Sequence, residues 1–180
     1  MKTKILWLMA LIMAPLISNA QSTISTVEDS IKKWSTEAQF NTSSNSNSAT
    51  FGPSMLYHLN NRSQVGLKLL MPIGVPYSGT TSVIALYRQL LSQKTTNLFV
   101  EGSVGANWYN FEHSQVNINI TSPSIGTNFG VLHNITDHIA FGGLAGIEWT
   151  QVRLGKNLAI EEPNSVFAWG RIALFGSLKF

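Results

Sequence analysis

The chain contains no cysteine, so disulfides do not staple it and no lipid can be attached to an N-terminal thiol. Stability has to come from packing and backbone pairing. Charge is scarce too: Asp, Glu, Lys and Arg make up 12% of 180 residues, about half the usual globular share. Hydrophobic residues, at 44%, do not fill the difference. Ser, Thr, Asn and Gly do. Beyond residue 17 there is no apolar run of about 20 residues, which argues against helical membrane spans. No pair of His sits at metal-ligand spacing, and no basic cluster carries interleaved aromatics. No metal, cofactor or nucleic-acid partner is therefore expected. The formal charge of +3 includes Lys2 and Lys4; without them it is +1.

Those two lysines begin a leader. Lys2 and Lys4 precede an apolar stretch from Ile5 to Ile17, and Ser18, Asn19 and Ala20 supply small residues for a signal peptidase. The apolar run is too short for a span. Residues 1–20 are expected to be a cleaved signal peptide, leaving about 160 residues, enough for one domain. Residues 21–33 read as a periplasmic N-terminal segment. Its Ile24, Val27 and Ile31 sit at near-helical spacing, although the Ser and Thr content suits a disordered tail better.

From Trp34 the pattern is one of strands. Successive side chains on a strand point to opposite faces, so a half-buried strand alternates in polarity. Eight such segments are predicted: 34–41, 51–59, 64–71, 81–91, 98–109, 124–133, 139–150 and 166–180. The fifth is the clearest, with Leu98, Val100, Val104, Ala106 and Trp108 against Glu101, Ser103 and Asn107. In the fourth we place Val83, Ala85 and Tyr87 outward and Arg88 inward. Pro53 cannot donate to a ladder and is expected near a strand end or a bulge. Connections after strands one, three, five and seven are long; those after two, four and six are short. Within the third long connection, 110–121, Val116 to Ile120 alternates strongly, so strands five and six are expected to extend beyond the bilayer.

The last strand is two-faced. Val166, Ala168, Ile172, Leu174, Leu178 and Phe180 share one row with Gly170 and Gly176, against Arg171, Ala173, Ser177 and Lys179. A terminal aromatic on such a strand, behind a cleavable leader, resembles the C-terminal assembly signal of bacterial outer-membrane β-barrels, with Phe180 as the signal residue. Long loops alternating with short turns also resemble that family. A soluble barrel such as a lipocalin would turn its apolar face inward. Three features oppose it. Trp34, Tyr57, Tyr87 and Phe180 cluster at the short-turn ends, and Phe51, Trp108 and Trp149 at the long-loop ends, as interfacial belts do. The polar rows are rich in Gly, Ser and Asn. The Lys and Glu that coat a soluble surface are missing.

The chain is thus expected to be all-β: an eight-stranded antiparallel up-and-down transmembrane β-barrel over residues 34–180. It resembles the small OmpA/OmpX-like barrels, without a peptidoglycan-binding domain. The resemblance implies location in the outer membrane. It also implies outer-membrane lipid, lipopolysaccharide and the barrel-assembly machinery as partners, with four loops free to meet an extracellular ligand. An eight-stranded lumen is filled by side chains. The inward charges are Glu37, Lys68, Arg88, Glu101, Glu148, Arg171 and Lys179, and buried charges are expected to pair, Arg88 with Glu101 and Glu148 with Arg171. His58 is expected to bond Glu37. A transiently opening gate is the functional alternative for these residues.

Some barrels of this size remodel lipid A, and the cluster Glu112, His113 and Ser114 is the one catalytic candidate. On an extended strand the adjacent His113 and Ser114 point to opposite sides. Lipid A deacylases place His and Ser two apart on one face, so this chain departs from them. The active-site pattern of the palmitoyl-transfer barrels finds no match. The sequence reads as a non-enzymatic envelope protein whose loops serve binding or adhesion. A lipid A-modifying enzyme and a narrow ion-conducting pore are the alternatives.

Overall fold

The computed structural model describes residues 33–43, 46–73, 78–113, 116–152 and 165–180. The leader at 1–20, residues 21–32, Ser114 and the charged residues 153–162 lie outside the described residues. Eight strands are present: β1 (Trp34–Ser43), β2 (Ser46–His58), β3 (Ser63–Ile73), β4 (Ser78–Leu90), β5 (Thr96–His113), β6 (Val116–Asn134), β7 (Ile139–Val152) and β8 (Ser165–Lys179). Each pairs antiparallel with its neighbour in sequence, and β1 pairs with β8 to close the barrel. Beyond the end of β8, Phe180 and Trp34 exchange backbone bonds, N–H of Trp34 to O of Phe180 at 3.2 Å and N–H of Phe180 to O of Trp34 at 2.9 Å. Closure leaves no sheet edge around the waist, the condition for strands to cross hydrocarbon.

The strands run further than sequence pattern predicts. The Ser- and Asn-rich stretch 42–50, read as a loop, belongs mostly to β1 and β2, with a register shift between Thr42 and Ser43. Residues 110–113 and 116–121 continue β5 and β6, paired up to His113 opposite Val116, as the alternation from Val116 to Ile120 predicts. Turn-forming composition is a local bias. A ladder already nucleated by the apolar alternation below extends through it, since every second added pair satisfies four backbone groups. Pro53 is another correction. It stands within β2, where β2–β3 pairing breaks off after Phe51–Met71 and resumes at Ser54–Lys68. The missing N–H falls in this gap of the ladder, and no strand end is needed.

Parity decides the two faces. Outward, Phe40, Phe51, Met55, Leu67, Val83, Val104, Phe129, Phe141, Ile147, Ile172 and Leu174 are all exposed. This belt would be intolerable in water at such density and suits hydrocarbon. Inward, the lumen is more apolar than the Gly-, Ser- and Asn-rich rows read from sequence. Leu56, Leu70, Ile84 and Leu86 are buried among the polar side chains, and Leu90, Phe99, Leu132, Ala140, Leu144, Ala173 and Phe175 form one apolar cluster toward the short-turn end.

Candidate functional site: the barrel lumen

The center of the lumen is Arg88. It lies two residues from the end of β4, aimed inward and fully buried. Its guanidinium meets Glu37 of β1 in a fork, Nη1 to Oε1 at 2.6 Å and Nη2 to Oε2 at 3.0 Å. The same group donates to Glu101 of β5, Nε to Oε2 at 3.1 Å and Nη2 to Oε2 at 2.9 Å. A planar fork with five fixed donors suits this double duty; a lysine would not. Lys68 of β3 donates to the other Glu101 oxygen at 3.2 Å, where Asn128 also donates at 3.1 Å, and Ser54 reaches Glu37 at 3.4 Å. Two cations and two carboxylates therefore neutralise each other in a space without water access, the only arrangement in which so many buried charges are affordable.

Two aromatic rings complete the plug. The Arg88 guanidinium carbon lies 4.4 Å from the Phe99 ring centroid and 5.1 Å from that of Phe175. The rings meet edge to face at 6.1 Å. Each ring faces a glycine across its ladder: Phe99 pairs with Gly130, and Gly142 pairs with Phe175. A Cβ at Gly130 would collide with the Phe99 ring, and one at Gly142 with the Phe175 ring. Glycine is required at both places because the rings occupy the space a side chain would take.

A second group occupies the long-loop half. Arg171 of β8 is hydrogen-bonded to Glu148 of β7, and Asn107 donates to Glu148 at 2.8 Å and to Thr150 at 3.3 Å. The Trp169 indole donates to Thr150 at 3.3 Å. This pair is less enclosed than the Arg88 group, with side-chain exposures of 13% for Arg171 and 9% for Glu148. Gln39 and Asn41, bonded to each other, face inward nearby on β1.

The remaining candidates fall apart spatially. His58 bonds the Ser35 hydroxyl at 3.0 Å, not Glu37. The Glu37 carboxylate is already taken by Arg88 and Ser54, and Ser35 lies on the inward row of β1 closer to the rim. Lys179 donates to Asn134 at 2.6 Å. Glu112 and His113 stand opposite Asn117 and Val116 at the tip of the β5–β6 hairpin, and Ser114 lies outside the described residues. Among the described residues, no group of three His, Cys, Asp or Glu is placed to hold a metal.

Three solved structures resemble this arrangement. The crystal structure of the N-terminal β-barrel domain of Pseudomonas aeruginosa OprF matches with TM-score 0.56 and 16% identity, over 82% of this chain and 96% of that one. The crystal structure of Neisserial surface protein A matches with 0.54 and 16%, over 82% and 94%. The solution structure of outer membrane protein H of P. aeruginosa in DHPC micelles matches with 0.58 and 13%, over 82% and 99%. This chain has the fold of the eight-stranded outer-membrane β-barrels. At these identities the likeness is one of fold. No protein-family model matches the sequence, and no curated protein does.

Several lumen residues act only through cross-strand neighbours. Alternation puts Phe99 and Phe175 on the inward rows, but nothing in a row of letters tells which glycine stands opposite. The signal that would have found them is the cross-strand Phe–Gly pair, visible once the register is known. Asn128, Asn107 and Trp169 were missed for the same reason: each acts through a neighbour on another strand.

Proposed function

We propose that the protein is an integral outer-membrane barrel with a sealed lumen, acting through the loops at its long-connection end and carrying out no chemistry itself. One observation carries the reading: Arg88 with both its carboxylates and both flanking rings fills the lumen and is fully buried, leaving the loop end as the surface available for work. The β5–β6 hairpin is the chief candidate there. Its strands are 18 and 19 residues, against the 9–11 or so that cross a bilayer. Deleting residues 113–119 should abolish binding of whole cells to a host or matrix surface while leaving assembly intact. Undiminished binding by the deletion variant would sink the loop role.

A narrow pore is the second reading, favoured by one feature. Glu101 already receives both Arg88 and Lys68, so a swap of partners needs little movement. Planar-bilayer recordings separate the readings. The sealed barrel gives no stepwise conductance until Arg88 or its rings are truncated; a gate conducts intermittently as wild type. For lipid modification, mass spectra of lipid A with and without the protein should be identical. Altered acyl chains would replace both readings with an enzyme.

A further inference from the structure

The three short turns repeat one pattern. Leu59, Leu91 and Ile135 each directly follow a strand end, and each is exposed, at 50%, 52% and 56%. Three residues after each comes a basic side chain: Arg62, Lys94 and His138, all exposed. The anchor residues continue the outward apolar rows of β2, β4 and β6, while the basic residues sit where the chain turns back.

Side-chain clamps hold these corners in place. Asn60 Oδ1 accepts from the backbone N–H of Arg62 and of Ser63, both at 2.8 Å. Asn97 grips the Lys94 backbone from both sides, accepting at 2.9 Å and donating at 2.8 Å. Thr136 Oγ1 accepts from the N–H of His138 at 3.2 Å and of Ile139 at 3.0 Å. The chain's entry repeats the chemistry, with exposed Lys33 beside exposed Trp34. Asp137 is the one acidic side chain on this rim among the described residues.

We infer that this rim binds anionic phospholipid headgroups of the leaflet around the short-turn end. The inference rests on the proposed membrane-spanning reading. A cation displaced one turn from an exposed apolar anchor matches a lipid surface: the anchor enters the acyl boundary and the cation meets the phosphate layer. A soluble acidic partner would match the cations but leave Leu59, Leu91 and Ile135 in water.

The test uses the full chain in phosphatidylcholine vesicles carrying a trace of spin-labelled phosphatidylglycerol or spin-labelled phosphatidylcholine. The labelled lipid immobilised at the barrel gives a relative association constant. Phosphatidylglycerol should be preferred by about fivefold for each cation engaged. The preference should collapse in about 1 M NaCl, where charges are felt over only about 3 Å. It should also collapse in the triple variant Lys33→Gln, Arg62→Gln, Lys94→Gln. Equal association of the two lipids with wild type, or a preference indifferent to salt, overturns the inference. The salt titration needs no variant, so misfolding of the triple variant would not shelter it. Failure of the protein to show a heat-modifiable, folded form in these vesicles would overturn the spanning reading itself, and this inference with it.

Discussion

Replacing Arg88 by methionine tests the plug most directly. The substitution keeps the stem but removes four donated bonds, two to each carboxylate, and the cation between two rings. Lys68 still serves Glu101, but Glu37 is left buried with Ser54 at 3.4 Å and no counter-charge. Breaking a buried ion pair from one side costs about 3–5 kcal/mol, because the stranded charge has neither water nor partner. At a urea m value of about 2 kcal/mol/M, the midpoint should fall by about 2 M. Adding Glu37→Gln removes the stranded charge and leaves Lys68 and Glu101 balanced, so the double variant should recover most of the loss. Urea unfolding in vesicles, followed by tryptophan fluorescence and by SDS mobility without boiling, reads both. If the single variant loses less than about 1 kcal/mol, or the double is no more stable than the single, the charge-balance argument fails.

Four further outcomes follow from the same geometry. Gly142→Ala should destabilise by about 1–3 kcal/mol through its clash with the Phe175 ring, and Phe175→Leu in the same chain should restore part of that; urea midpoints of both chains decide. Arg171→Met should cost less than about 2 kcal/mol, since its pair with Glu148 keeps some contact with water; a loss equal to that of Arg88→Met would contradict the burial difference. Brominated lipid should quench Trp34 and Trp108, at 40% and 38% exposure on the outer face, and spare Trp169, which turns inward to Thr150; strong quenching in a chain retaining Trp169 alone would invert the assigned faces. Unboiled samples of the folded protein in SDS should migrate apart from boiled ones, because every ladder bond of a closed barrel is internal; identical mobility argues against closure in the membrane.

Which parts of this structure are legible in sequence depends on how far each interaction reaches along the chain. A strand's alternation is a property of a few consecutive residues, so Leu98, Val100, Val104, Ala106 and Trp108 against Glu101, Ser103 and Asn107 can be assigned from a short window. Loop boundaries are less local. The stretch 42–50 is rich in turn formers, yet the ladder between β1 and β2 runs through it. There, pairing with a neighbour overrides composition. His58 shows another limit: parity points it inward, but its choice of Ser35 over Glu37 depends on Arg88 having claimed that carboxylate from a strand 51 residues away.

By itself the sequence determined what a period of two residues can carry: eight strands, an apolar outward row, a polar inward row with charges of both signs, and an aromatic at the end of the last strand. Hydrocarbon and lumen act on each side chain singly, so the pattern is written residue by residue. Only the tertiary structure decided who meets whom across the lumen. Register between strands and the stagger on closure brought Arg88 to Glu37 and Glu101, set Gly130 and Gly142 under two rings, and lined up the three corners of the short-turn rim. These contacts join residues tens of positions apart. Closing the sheet on itself fixes their relative heights, and no single strand holds that information.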